Sequence, residues 1–275
     1  MNDVLFAFLL TFIAGISTAV GGLVVLFTKV TNKKFLSACL SFSAGVMLYL
    51  SFAELFFNAF ESLGNAFGNG MAYLVSTVSF FCGIALMALV DKFIPHDEEV
   101  GDLLESVPQQ EQGDQEVNDN KELKRTGVST IIAIAVHNFP EGLITFMAAM
   151  YNPALGVVIA IAIILHNIPE GIATAAPIYF ATGSKVKAFL AAVGAGLTEP
   201  LGALIAWLFL RNIITDNHAL FGIIFAAIAG IMVFVAIHQL LPTAQKYGKH
   251  HLVMKWLFAG MVVMAISLVV LELVA

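Results

Sequence analysis

Apolar residues along this chain gather into long runs instead of alternating with polar ones. Each run reaches about 20 residues, the length a helix needs to cross the ~30 Å hydrocarbon layer of a bilayer. The pattern predicts an all-α integral membrane protein with eight transmembrane helices, at roughly 4–27, 35–57, 72–91, 127–150, 154–178, 186–210, 219–241 and 252–274. The gaps are short except for 92–126, whose Pro, Gln, Gly and acidic residues read as a solvated loop. The expected organisation is one membrane domain: helices one to three in 1–91, an acidic loop over 92–126, and helices four to eight in 127–275.

Composition removes the soluble alternative. Apolar residues make up 59% of the 275 positions and charged residues 12%, with a mean hydropathy of +0.91; soluble domains carry roughly 25% charged residues. Of the 19 acidic residues, 11 fall between Asp91 and Glu122, so the net charge of −6 describes one loop. The remainder is nearly neutral and offers nothing to nucleic acid. Cys39 and Cys82 lie inside apolar runs, where cysteine is ordinarily packing material and not a disulfide or thiolate site. The first run follows Met1-Asn2-Asp3 without a basic stretch and is too long for a secretory signal, so it reads as a retained span.

Basic residues set the orientation. Lys29, Lys33 and Lys34 follow the first run, and Lys92, Lys121, Lys124 and Arg125 the third. Lys185 and Lys187 follow the fifth, and Lys246, Lys249 and Lys255 separate the last two. Only Arg211 falls on the other side. The positive-inside rule makes the lysine side cytoplasmic and puts both termini outside a multi-pass protein of the cell membrane.

No Lys or Arg lies in the interior of a run, but carboxylates do: Glu141, Glu170 and Glu199 centrally, and Glu54 towards the outer end of the second. A charge at mid-bilayer costs on the order of 3 kcal/mol even on the lenient insertion scale. With no protein cation to pair with, each acid must be protonated, hydrated or bound to a metal.

The neighbours of these acids repeat. Span four reads His137-Asn138-Phe139-Pro140-Glu141-Gly142 and span five His166-Asn167-Ile168-Pro169-Glu170-Gly171. His and Glu four apart share a helix face, with the Asn beside them. Imidazole, carboxylate and amide oxygen suit a divalent first-row cation such as zinc. The proline removes an N–H, which predicts broken helices with the carbonyls of Val136 and Leu165 freed towards a cavity. The glycine after each Glu lets another backbone approach. Span six adds Thr198-Glu199-Pro200. The short turn at Asn152-Pro153 makes spans four and five antiparallel, so the motifs meet near the midplane. Two kinked helices whose His and Glu merely bond each other would explain one copy, but two copies at matching depth beside Glu199 favour a metal centre.

The doubled His-Asn-x-Pro-Glu-Gly resembles spans four and five of the ZIP family of divalent metal transporters, particularly its bacterial branch. The segment from Phe42 to Glu54 is similar to that branch's second span. The resemblance covers essentially the whole chain and implies a 3+2+3 arrangement, with spans 1–3 and 6–8 related by inverted pseudo-symmetry and an elevator-like movement. It also implies that His137, Glu141, Glu170 and Glu199 serve a first metal with His166 nearby. Asn138 and Asn167 would complete a second site, with Glu141 and Glu170 bridging. Some relatives have Gln-Asp where this chain has His166-Asn167. Loss of that acid favours one ion over two.

Other signals divide evenly between readings. Glu54 suits an outer gate or a solvated edge position. His238-Gln239-Leu240-Leu241-Pro242 resembles a His-Glu-Leu-Leu-Pro pattern of family span seven, and suits an exit ligand or a satisfied interfacial histidine. His96-Asp97-Glu98-Glu99 reads first as a solvated tether, and His250-His251 as headgroup-facing. Gly194, Gly196 and Gly202 allow close packing of span six.

The function expected is uptake of a divalent transition metal into the cytoplasm: zinc, with iron, manganese, cobalt or cadmium fitting the same ligands. The metal is cargo and no cofactor is implied. Partners are the lipid bilayer and the ions; a homodimer is compatible with the pattern. Two competitors from other classes are an intramembrane metal-dependent hydrolase, for which no His-Glu-x-x-His or nucleophile dyad is found, and a metal-sensing receptor using the acidic loop.

Overall fold

The computed structural model describes residues 3–27, 33–93, 135–136, 138–210 and 217–274. The expectations for His137, for His96 to Glu99 and for the acidic loop beyond Phe93 lie outside the described residues. Among those described there is no strand. The helices are α1 (Asp3–Phe27), α2 (Lys33–Phe67), α3 (Asn69–Asp91), α4 (138–151), α5 (Pro153–Thr182), α6 (Lys185–Phe209), α7 (His218–Tyr247) and α8 (His250–Val274). All but α4 have, within the described residues, the length and apolar content to cross a membrane.

Local chemistry explains where the helices begin and end. Asn152 caps α5, its Oδ1 accepting from the Ala154 N–H at 2.9 Å ahead of Pro153, whose missing donor is harmless in a first turn. Ser184 caps α6 through the Lys187 N–H, and Asn217 caps α7 through the Leu220 N–H. Gly183, at φ 62°, closes α5 in the left-handed region.

Two helices outrun the apolar pattern. The pattern ends the second span near 57, yet α2 continues to Phe67, because 56–67 is amphipathic: Ala59, Ser62 and Leu63 are buried while Phe57, Glu61 and Phe67 are exposed. At 1.5 Å per residue, α2 is about 52 Å long and overhangs a ~30 Å hydrocarbon layer. The seventh span likewise continues to Tyr247.

The expected proline breaks fall elsewhere. α5 stays helical through Pro169. In α6 the helix steps at Leu197, between Lys185–Gly196 and Thr198–Phe209, because Pro200 has no N–H for the Gly196 carbonyl. Both overhanging helices contain a π turn: Ser51–Leu55 in α2 and Ala236–Leu240 in α7. In α7 the wider turn precedes Pro242, which has no donor for the His238 carbonyl. No proline accounts for the turn in α2.

Close helix crossings are made by glycine pairs. A Cβ on Gly21 or Gly171 would collide with the facing backbone across α1 and α5, and one on Gly142 or Gly202 would do so across α4 and α6. Gly45 and Gly260 join α2 to α8, Gly83 and Gly230 join α3 to α7, and Gly15 and Gly196 join α1 to α6. Exchanging α1 with α6, α2 with α7, α3 with α8 and α4 with α5 maps the α1–α5 crossing onto α4–α6, the α2–α8 crossing onto α3–α7, and the α1–α6 crossing onto itself. The π turns obey the same exchange, Glu54 following Gly45 at the spacing at which Gln239 follows Gly230. Paired helices run in opposite directions, which is the expected inverted 3+2+3 arrangement.

The described lysines gather at one end. There Lys185 Nζ donates to the Leu26 carbonyl and Ser37 Oγ donates to the Ala244 carbonyl at 2.8 Å. At the far end, Ser62 Oγ donates to the His218 carbonyl at 2.8 Å. Leu74, Val78 and Phe81 of α3 and Val262, Ile266 and Val269 of α8 are exposed, an apolar belt that suits lipid and not water. Cys82 belongs to that belt and Cys39 is half-buried, so neither is the fully packed residue expected.

Candidate metal centre

Where α4, α5 and α6 meet, the fold buries polar side chains that an apolar bundle has no structural use for. Asn138, Glu141, His166, Asn167, Glu170 and Glu199 are all buried. Among the described residues no buried Lys or Arg accompanies them. The repeat places His166 and Glu170 one turn apart on α5, and Asn138 and Glu141 on the facing turn of α4. Thr145 and Thr174 extend the repeat: each hydroxyl donates to the carbonyl of the Glu one turn earlier, at 2.8 and 2.9 Å. These back-bonded threonines were not singled out from the sequence, though the spacing Glu-x-x-x-Thr occurs in both copies.

Glycine sets the depth of the meeting. Gly142, directly after Glu141, lies against the backbone of Glu199, and Gly171, directly after Glu170, lies against the backbone of Thr18 and Gly21. The glycine role expected from sequence is found at both sites, and also at Gly196 and Gly202; Gly194 faces open space.

Within this meeting, ligand atoms of Glu141, His166 and Glu170 lie within 4.8 Å of one another. His166 Nε2 is 3.1 Å from Glu141 Oε1. The His–Glu pairing thus runs between helices, not along one helix as the spacing of four suggests. Many polar atoms here find no partner among the described residues: both oxygens of Glu170, Glu141 Oε2, His166 Nδ1, Glu199 Oε2, Asn167 Oδ1 and both ends of the Asn138 amide. Buried polar groups are nearly always satisfied, so a cluster of orphans signals an absent ligand. Two carboxylates, an imidazole and amide oxygens with no cation of the chain's own suit a divalent metal with nitrogen and oxygen preference.

Glu199 stands slightly apart from this trio. Its Oε1 accepts from Asn167 Nδ2 at 2.5 Å, and the same amide nitrogen donates to the Ala14 carbonyl of α1 at 3.0 Å. α1 therefore forms one wall, and the buried Thr18 hydroxyl, without a partner, belongs to it. Sequence reasoning missed α1 because it offers no acid or histidine inside the membrane. From α2, Ser43 Oγ reaches the His166 carbonyl at 3.4 Å.

The weaker candidates lie elsewhere. Glu54 sits in the α2 π turn, half-buried, accepting from Asn58 Nδ2 at 3.1 Å. His238 and Gln239 occupy the α7 π turn at the lysine end, and both meet Asp91, the buried last residue of α3. His238 Nε2 is 3.1 Å from Asp91 Oδ2, and Gln239 Nε2 donates to Oδ1 at 2.6 Å. Asp91 was counted with the acidic loop from sequence; its place at the very end of an apolar run was the only signal available. At the far end, Tyr151 of α4 meets His218 of α7.

Similarity to known proteins extends over nearly the whole chain. The family model described as ZIP Zinc transporter matches residues 4–268. A protein of Clostridium perfringens named "Zinc transporter ZupT" is 50% identical, with 98% of this chain and 96% of that protein covered. Proteins of the same name from Chlorobium chlorochromatii and Lysinibacillus sphaericus are each 49% identical. They cover 97% and 98% of this chain, and 98% and 99% of their own lengths.

Proposed function

The chain belongs to the ZIP zinc transporter family, and on that premise we propose that it carries zinc across the membrane through the buried centre between α4, α5 and α6. Membership makes it a multi-pass membrane transporter of divalent metal and not an enzyme. Glu141, His166 and Glu170 hold the ion. Asn138, Asn167 and Glu199 surround it. Iron, manganese, cobalt and cadmium fit the same donors, and the ligand set does not separate them. The lysine end faces the cytoplasm and both termini lie outside.

One observation supports this reading: the buried, mutually adjacent Glu141, His166 and Glu170 have oxygens and a ring nitrogen with no partner among the described residues. An ion entering this space exchanges its water for carboxylate and imidazole, and neutralises charge that the bundle leaves uncompensated. Release needs the opposite: an opening towards the lysine end, where Asp91, His238 and Gln239 form a second polar group on the inward side. Glu54 occupies the corresponding π turn on the outward side, accepting from Asn58 one turn later.

The test is zinc uptake into proteoliposomes. Glu170→Gln keeps size and removes the charge, and is expected to abolish uptake while the protein inserts normally. Undiminished uptake would remove the residue from the ion's path.

A further inference from the structure

Glycine contacts sort the helices into two sets. The crossings at which a Cβ would strike facing backbone join α1, α4, α5 and α6 to one another, and α2, α3, α7 and α8 to one another. Among the described residues no such glycine crossing links one set with the other. Helices meshed backbone to backbone have little freedom to slide, because nothing flexible at the contact gives way. Side chains bridge the seam between the sets. Ser43 of α2 approaches the His166 carbonyl of α5 at 3.4 Å, long for a hydrogen bond. At the end opposite the lysines, Tyr151 of α4 reaches across to α7. Its hydroxyl lies 2.9 Å from His218 Nδ1, and its ring stacks on the buried Phe221.

Both sides of this contact are braced. Ser62 Oγ, in the part of α2 that overhangs the bilayer, donates to the His218 carbonyl at 2.8 Å. Leu63 and the Ala59 carbonyl of the same overhang close on Gly222 so tightly that a Cβ there would collide. Opposite, Gly156 lies against Ala149 and stiffens the turn between α4 and α5. Two stiff pieces therefore meet at this end through an aromatic contact.

We propose that the first turn of α7, braced by the overhang of α2, is a latch on the α4–α5 hairpin, and that Tyr151 leaves His218 and Phe221 each time an ion enters from that end. The proposal rests on the reading of Glu141, His166 and Glu170 as the ion's site. Those residues are at most 1% exposed, so the bundle must part somewhere before an ion reaches them. It parts most readily where side chains meet, since these separate without unlocking interleaved backbones. Tyr151 sits at the tip of the hairpin whose two helices supply the ligands, so its release frees that tip from α7. A stack with one hydrogen bond is strong enough to favour the closed arrangement and weak enough to open repeatedly. The overhang of α2 thereby gains a use outside the hydrocarbon layer: it holds the surface on which Tyr151 rests.

The experiment links the two sides of the contact. In a full-length chain with Cys39→Ser and Cys82→Ser, Tyr151→Cys and His218→Cys are joined in detergent by a short reducible bis-methanethiosulfonate, and zinc uptake is measured after reconstitution. Linking is expected to abolish uptake, and reduction before reconstitution to restore it. Chains with either single cysteine modified by the same reagent are expected to keep it. Equal uptake in linked and singly modified chains overturns the proposal. Uptake that survives linking but vanishes in Glu170→Gln removes the latch alone, whereas uptake that survives Glu170→Gln removes the centre, so the two failures are distinguishable. Should the double variant not insert, spin labels on Glu61→Cys and Ala154→Cys decide, both natural residues being exposed. Two separations between the labels are expected, and a single one, with zinc or without, overturns the proposal.

Discussion

The hydroxyl of Tyr151 lies 2.9 Å from His218 Nδ1, while the Tyr151 ring stacks on Phe221 with centroids 3.9 Å apart. Tyr151 ends α4 and His218 begins α7, so the pair ties the hairpin that carries the centre to its neighbour at the far end. Tyr151→Phe keeps the stack and loses one hydrogen bond, about 1 kcal/mol at a half-exposed position. Tyr151→Ala loses the stack as well and is expected to cost more, about 2–3 kcal/mol. Thermal denaturation of the detergent-solubilised protein should rank them in that order; equal losses would show that the ring carries nothing.

Gly142→Ala places a methyl against the backbone of Glu199, where nothing flexible can give way. The expected loss is about 1–3 kcal/mol from overpacking, accompanied by a fall in zinc affinity because α6 must retreat. Gly194→Ala meets open space and should leave melting temperature and uptake at natural values. If both substitutions behave alike, the close α4–α6 crossing is not what seats Glu199.

Zinc affinity should weaken as pH falls. Carboxylate and imidazole bind metal only without their protons, so binding releases protons and acid competes with the ion. Each proton released lowers affinity by up to about tenfold per pH unit across its titration range. Isothermal titration in buffers of different ionisation enthalpy reads the proton count directly. A pH-independent affinity between 5 and 8 would contradict a centre of these ligands.

Asp91→Asn preserves an acceptor for Gln239 but withdraws the charge beside His238, which is 52% exposed. A partly solvated pair of this kind is worth about 1 kcal/mol or less. Uptake is therefore expected to slow by no more than about tenfold, with the zinc count of the centre unchanged. Complete loss of uptake would promote Asp91 from a wayside contact to an indispensable one.

Much of the fold was legible because lipid simplifies the code. Span boundaries followed from apolar runs, and the motif His-Asn-x-Pro-Glu-Gly announced itself by being polar twice where nothing polar belongs. What stayed hidden depended on through-space relations. The overhang of α2 is amphipathic, so its polar positions mimic a loop. The pairing of His166 with Glu141 crosses between helices and leaves no trace in spacing. Asn167 reads as a ligand by type, and the two contacts that its amide nitrogen donates, to Ala14 and Glu199, leave no trace in the sequence. The wall supplied by α1 consists of a main-chain carbonyl and a threonine, neither of which a sequence pattern can flag. The step in α6 at Leu197 and the π turns show where the backbone yields, and proline alone predicted this in α6 but not in α2.

The exchange that swaps the first three helices with the last three leaves the scaffold indifferent to top and bottom. A frame of that kind contains no arrow. The sense of net travel must then come from the difference in chemical potential across the bilayer. Only the few places where the halves disagree, Glu54 opposite Gln239 among them, are left to make one doorway differ from the other.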